Sequence, residues 1–228
     1  MADKYNYTYE RTNDYCYPNS DVLINKLNIV VDKDLYVAEQ ELVGLRVQEI
    51  LERPLKGNLD FDHLKSIHNF LFQDVYGWAG KPRTCNIAKT NLFCLSPHID
   101  TYAREIFNKL SDIDYFIKLS YDRKLTSLAD LFADINALHP FREGNGRTQR
   151  EFIKYLARIN GINFDFTKVE SMEMIIASSE STNGDNKKLI AMFKRIATPI
   201  SKNEQFKYIE ELILDKKIKE ILKVEIKK

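Results

Sequence analysis

Cysteine is scarce in this chain, and so are glycine and proline. The three cysteines, Cys16, Cys85 and Cys94, form an odd set with no CxxC pair. That excludes a disulfide scaffold and gives no zinc-binding pattern, and it suits a reducing compartment. Eight glycines and six prolines in 228 residues are too few for a turn-rich all-β protein and fit a helical one. There is no apolar run of 18 residues, so no segment is expected to span a membrane. The first residues, Met1 to Asn6, lack the apolar stretch of a secretory signal. Surplus charge is missing too: 34 Lys and Arg face 33 Asp and Glu, a net charge of +1. A protein built to coat nucleic acid needs an excess of cations, so no nucleic-acid partner is expected. The expected location is the cytosol.

What is present is average for a globular protein: 44% hydrophobic and 29% charged residues, enough for a real core without staples. The first 20 residues are polar and tyrosine-rich, either an extended arm on the domain or a frayed end. Ser20 is placed to cap a short helix over 20–27. Apolar spacing predicts a helix from about Asp34 to Leu51, with Ala38, Leu42, Val43, Leu45, Val47 and Ile50 inward and Pro54 as its stop. A second runs over about 60–75, where His63 and His68 read as packed core residues rather than ligands. Residues 77–97 alternate between Gly and Pro punctuation and predict a short β-hairpin leaning on the helices. Helices follow over 98–110, 115–119, and from a capping box at Ser127 through Leu138. Others follow after 150 to Asn160-Gly161, over 168–180, and over 185–196. One amphipathic helix is expected from Ser201 to Lys228, its lysines a solvated face. The division is 1–54 as arm and first helix, 55–198 as the main domain, and 199–228 as C-terminal helix.

Chemistry concentrates in His139-Pro140-Phe141-Arg142-Glu143-Gly144-Asn145-Gly146-Arg147-Thr148-Gln149-Arg150, a tight loop feeding a helix. Gly144 and Gly146 permit positive φ and inward-pointing N–H groups, an anion-binding nest. The helix N-terminus adds its dipole. Arg147 and Arg150 in early turns oppose that dipole unless an anion compensates them. Glu143 is where a magnesium ion beside phosphates would bridge, and His139 is the group suited to act as a base near neutral pH. Phe141 is expected to plug into the core. A Gly-Asn-Gly turn flanked by charges also describes a plain connector, but the combination within twelve residues favours nucleotide handling. It matches neither a Walker A loop nor a Rossmann fingerprint.

The stretch matches HPFx(D/E)GNGRxxR, the signature of Fic domains, at every specified position. Tyr15-Cys16-Tyr17-Pro18 through Ile29 and Asp74 through Lys89 also resemble bacterial cell filamentation Fic proteins, so the likeness covers about 15–197. The resemblance implies an all-α Fic-type helical bundle with a short β-hairpin flap over the active site. It implies a protein adenylyltransferase moving AMP from ATP to a Ser, Thr or Tyr hydroxyl of a target protein. His139 would be the catalytic base and Glu143 the Mg2+ ligand. Gly144, Asn145, Gly146, Arg147 and Arg150 would bind ATP, with Lys89 and Thr90 approaching it from the flap. Ile87, Ala88 and Asn91 would clamp the target segment as an added strand. Gly146, where related Doc kinases carry lysine, favours nucleotidyl transfer. A Doc-like kinase and a non-catalytic nucleotide-binding module are the alternatives. The inhibitory pattern (S/T)xxxE(G/N) of many relatives is not found. The family logic therefore implies a separate antitoxin that presents a glutamate to Arg150, making this chain the toxin of a pair.

Overall fold

The computed structural model describes residues 8–9, 15–88 and 92–227. Nine helices are found among them: α1 (Asp32–Glu52), α2 (Phe61–Phe72), α3 (Ile99–Asp112), α4 (Tyr121–Leu138), α5 (Asn145–Ile159), α6 (Ser171–Ser181), α7 (Lys187–Ile196), α8 (Lys202–Leu212) and α9 (Lys216–Lys227). Two small antiparallel pairs accompany them: β1 (Thr8–Tyr9) with β2 (Ile87–Ala88), and β3 (Ile162–Phe164) with β4 (Ala197–Pro199). The all-α reading with a short flap is therefore correct.

The core forms where α2, α4 and α5 meet. α2 begins at Asp60, whose carboxylate accepts the His63 N–H at 2.8 Å, and it buries Leu64, Ile67, Leu71 and Phe72. α4 offers Leu128, Phe132, Ile135 and Leu138, and α5 offers Phe152, Ile153 and Leu156, all 2% exposed or less. Truncating a ring such as Phe132 in so closed a core costs about 3–5 kcal/mol. α5 ends at Asn160 and at Gly161 with φ +79°, the expected left-handed stop.

Several sequence expectations need correction. No helix forms over 20–27. Ser20 Oγ accepts the Val22 N–H at 3.0 Å, and the Asn25 carboxamide bonds the backbone of Leu23, Leu27 and Ile29. These local bonds compete with helix formation and win. Ser127 caps nothing, because α4 starts earlier, at Tyr121. The 115–119 helix shrinks to a 3-10 turn over Asp114–Phe116, three residues with positive φ. α1 buries Leu35, Glu39, Val43 and Ile50 and leaves Leu45 59% exposed, so its inner face includes a carboxylate and lacks an expected leucine. The C-terminal segment is two helices. Ile213 turns extended to bridge Gly57, and Asp215 accepts the N–H groups of Lys217 and Ile218, starting α9 afresh. Gln205 on α8 donates to the Ile159 carbonyl at 2.7 Å, which ties this segment to the end of α5.

The N-terminal arm is described at Thr8–Tyr9, which pairs with the flap in the register Thr8↔Ala88, Tyr9↔Ile87, and from Tyr15 onward, where the buried Tyr15 hydroxyl accepts the Thr84 N–H at 3.1 Å. The flap itself is β2 with an antiparallel bridge from Ala88 to Leu92. Its expected tip residues Lys89, Thr90 and Asn91 lie outside the described residues. No described helix is long and apolar enough to cross a membrane.

Candidate active site

The site is the junction from α4 to α5. α4 ends on His139, which closes the helix with its N–H on the Ile135 carbonyl at 3.1 Å and takes up a left-handed conformation, φ 42° and ψ 60°. A residue with a Cβ pays for that geometry, and such strain concentrates at functional sites. Contacts from the flap side help to hold it. The Phe93 ring stacks on the imidazole with centroids 3.8 Å apart, and Arg83 Nε donates to the His139 carbonyl at 2.8 Å. His139 is 7% exposed.

Arg83 was missed as a site residue by sequence reasoning. It is 2% exposed, and its remaining guanidinium groups bond the carbonyls of Cys85, at 2.6 Å, and Cys94. The Arg83 N–H also donates to the Pro140 carbonyl at 2.8 Å. One side chain thus ties both legs of the flap to the end of α4 at His139.

After Pro140, Phe141 plugs inward as expected, 1% exposed and stacked 3.8 Å from the His68 ring. His68 Nδ1 accepts from the Gly80 N–H at 2.7 Å, so Nε2 carries the proton and donates to the Glu143 carbonyl at 2.9 Å. Burial holds the His68 pKa down to about 3, and His63 is lowered for the same first reason. Both expected core histidines are confirmed. Because the unfolded chain takes up protons at these two residues near pH 6.5 and the folded chain takes them up less readily, stability falls as pH drops from 7 to 5. Thermal melts at the two pH values should show the lower midpoint at pH 5.

Gly144 has φ +82° and stands as N-cap of α5, whereas Gly146 lies inside the first turn at ordinary helical angles. Only one of the two glycines therefore makes the nest. A Cβ at Gly146 would meet the far end of the Arg150 side chain, with Nη1 at 3.4 Å. The Asn145 carboxamide is committed: Oδ1 accepts from the Phe141 N–H at 2.8 Å and Nδ2 donates to the Phe141 carbonyl at 2.7 Å. What Asn145 can offer an anion is its backbone N–H.

Glu143, 36% exposed at its side chain, points Oε1 back at the Gly144 N–H, 2.8 Å away. Burial raises its pKa against the pull of Arg147. Arg147 lies 3.6 Å from Glu143 and 2.5 Å from Glu39, a partner that helical spacing does not mark. Burial would lower the Arg147 pKa, and Glu39 and Glu143 more than offset it. Arg150 is lowered by burial and by the Arg147 charge, and it has no ion pair among the described residues. The α5 N-terminus thus gathers two arginines and free backbone donors, an arrangement suited to polyphosphate. The described residues hold no cluster of three or more His, Cys, Asp or Glu that could bind a metal alone. One carboxylate beside a phosphate site is nevertheless the donor set Mg2+ accepts, because phosphates and water complete its shell.

This is a helical protein with a nucleotide-handling loop at a helix N-terminus. Its likeness to known proteins narrows that further. A family model described as the Fic/DOC family matches residues 58–157. The probable protein adenylyltransferase y4lH of Sinorhizobium fredii is 38% identical over 183 residues, 79% of this chain and 94% of that protein. The probable protein adenylyltransferase Fic of Escherichia coli is 31% identical over 205 residues, 90% of this chain and 100% of that protein. Protein adenylyltransferase VbhT of Bartonella schoenbuchensis is 38% identical over 199 residues; the match takes in 86% of this chain but only 42% of that longer protein. Among solved structures, BepC of Bartonella tribocorum with bound AMPPNP superposes with a TM-score of 0.76 at 25% identity, over 83% of this chain and 98% of that one. The N-terminal Fic domain of a putative cell filamentation protein of Bartonella quintana with bound ADP gives 0.78 at 25%, over 84% and 98%. The chain belongs to the Fic/DOC family.

Proposed function

We propose that the chain transfers AMP from ATP to a Ser, Thr or Tyr hydroxyl of a target protein, within the nucleotidyltransferase class to which its curated relatives belong. The observation that carries this is the pairing of a buried, strained His139 with an anion-receptive α5 N-terminus whose Arg150 makes no ion pair among the described residues. His139 takes the proton of the target hydroxyl as its oxygen attacks the α-phosphate of ATP. A P–O bond to the target forms, the bond to the β-phosphate breaks, and pyrophosphate leaves. The backbone N–H groups from Gly144 to Arg147 face the phosphates, and Arg147 and Arg150 neutralise the β- and γ-phosphates. Catalysis then consists of positioning and charge neutralisation. Glu143 is the residue that would hold Mg2+, whose part is to offset phosphate charge. Target pairing is assigned to Ile87 and Ala88, where the incoming segment would take the place of Thr8–Tyr9, with Asn91 as a further target contact and Lys89 and Thr90 as nucleotide contacts by family resemblance.

The finer biology is part of the same proposal. Arg150, without an ion pair among the described residues, is the receptor for a glutamate brought by a separate antitoxin, which makes this chain the toxin of a pair acting in a cytosol, its own or another cell's. The ranges 1–54, 55–198 and 199–228 are proposed as arm with first helix, catalytic domain and C-terminal appendage. The deciding experiment incubates the purified chain with magnesium, cell lysate and ATP labelled at either the α- or the γ-phosphate. Label reaching protein from the α position alone is the expected result. Label from the γ position alone makes the protein a kinase and overturns the reading.

A further inference from the structure

Arg147 meets the protein asymmetrically. Its Nη2 donates to Glu39 Oε1 at 2.5 Å, and its Cζ stands 4.7 Å from the centre of the Phe72 ring. Its Nη1 is buried with no acceptor among the described residues. Glu39 is 6% exposed, and its second oxygen, Oε2, accepts from the Tyr76 hydroxyl. That hydroxyl is held protonated, its pKa pushed up by burial and by the Glu39 charge. The Tyr76 ring is fixed in turn, stacked 4.3 Å from Trp78 and 6.3 Å from Phe72. A relay therefore runs from the turn after α2, through α1, to the first turn of α5.

A buried carboxylate is costly unless both oxygens are satisfied. Glu39 meets that condition, with one oxygen on the tyrosine and one on the arginine. The guanidinium does not. It is a rigid planar fork, so fixing one arm orients the other. The other arm is a buried donor that the protein leaves unmet, a costly state that an entering oxygen relieves. Glu143 cannot take the anchoring role, because it lies 3.6 Å from the guanidinium and is turned onto the Gly144 N–H.

We propose that Glu39, braced by Tyr76, is a positioning residue: it holds Arg147 by Nη2 so that Nη1 is left for a phosphate oxygen, and it thereby sets the preference for ATP over AMP. The inference rests on the reading of Arg147 as a phosphate ligand. Glu39 lies outside residues 58–157 and outside the twelve-residue loop, so neither points to it.

The test measures ATP and AMP affinity, with transfer kinetics, on the full chain and on Glu39→Gln, Tyr76→Phe, Arg147→Ala and the double variant E39Q/R147A. Thermal melts run alongside to confirm folding. Losing a hydrogen bond to a charged group corresponds to about a tenfold change. Glu39→Gln should therefore weaken ATP about tenfold, raise KM more than it lowers kcat, and leave AMP affinity unchanged. Tyr76→Phe should give a smaller effect of the same kind, and E39Q should change nothing further in the R147A background. Equal weakening of ATP and AMP would reduce Glu39 to a structural residue and overturn the proposal. Tighter ATP binding would also overturn it, by making Glu39 a competitor for Arg147. If Arg147→Ala itself leaves the ATP preference intact, the phosphate-ligand reading fails first, and that result is distinct from a failure confined to Glu39.

Discussion

His139→Ala is expected to slow AMP transfer by about a hundredfold to ten-thousandfold, the range a positioned general base contributes, while ATP affinity stays unchanged. The split follows from the geometry. The donors proposed for the phosphates belong to the α5 N-terminus and to the arginines, whereas His139 stands on the other side of Pro140, at the end of α4. The alanine variant carries one complication, which a second substitution removes. Position 139 has φ 42°, a conformation alanine adopts at a cost of about 1–2 kcal/mol. Asparagine tolerates it, so His139→Asn removes the base with less strain on the backbone. Radiolabel transfer and isothermal titration with ATP on both variants check the prediction. Retained transfer in His139→Asn would remove His139 from the role of base.

How much of this was legible beforehand depends on the range of the interactions. The α2, α4 and α5 stripes were readable because helical periodicity is local and these faces are buried by one another. The loop from His139 to Arg150 was readable because its chemistry is contiguous in sequence. Arg83 and Glu39 were not. Arg83 sits among flap residues, and its role depends on three carbonyls brought together by the fold, those of Cys85, Cys94 and His139. Glu39 occupies an inward position that helical spacing assigns to an apolar residue, and only the approach of α1 to α5 makes it a counter-ion. The C-terminal break failed for a similar reason. Periodicity runs on through 201–228, and what interrupts it is a bridge to Gly57, about 155 residues away in sequence. Gly146 shows a subtler limit: the spacing of two glycines cannot say which of them takes positive φ.

Gly144→Ala should be the most damaging single-methyl change in the loop. Two costs add at this position. Its φ of +82° lies in the left-handed region, and a Cβ built there would fall 2.3 Å from the Phe72 ring, inside any tolerable contact. Phe72 cannot yield easily. It is fully buried, stacked 4.7 Å from His68, and underlies the Arg147 guanidinium. Strain of about 1–2 kcal/mol from the backbone and about 1–3 kcal/mol from overpacking give an expected loss of about 2–5 kcal/mol, a large share of a domain's stability. If the loop shifts to relieve the clash, the Phe72 ring moves under Arg147, and the N–H groups of the α5 N-terminus leave their places. ATP affinity then falls along with the melting temperature. Gly146→Ala is the matched control: its Cβ would meet only the far end of the Arg150 side chain, at 3.4 Å, on a backbone that is already helical. Denaturant unfolding and ATP titration of the two variants should show Gly144→Ala losing both stability and nucleotide binding, and Gly146→Ala retaining the fold. Equal effects would mean that Gly144 is conserving flexibility in the loop rather than a single close approach to Phe72.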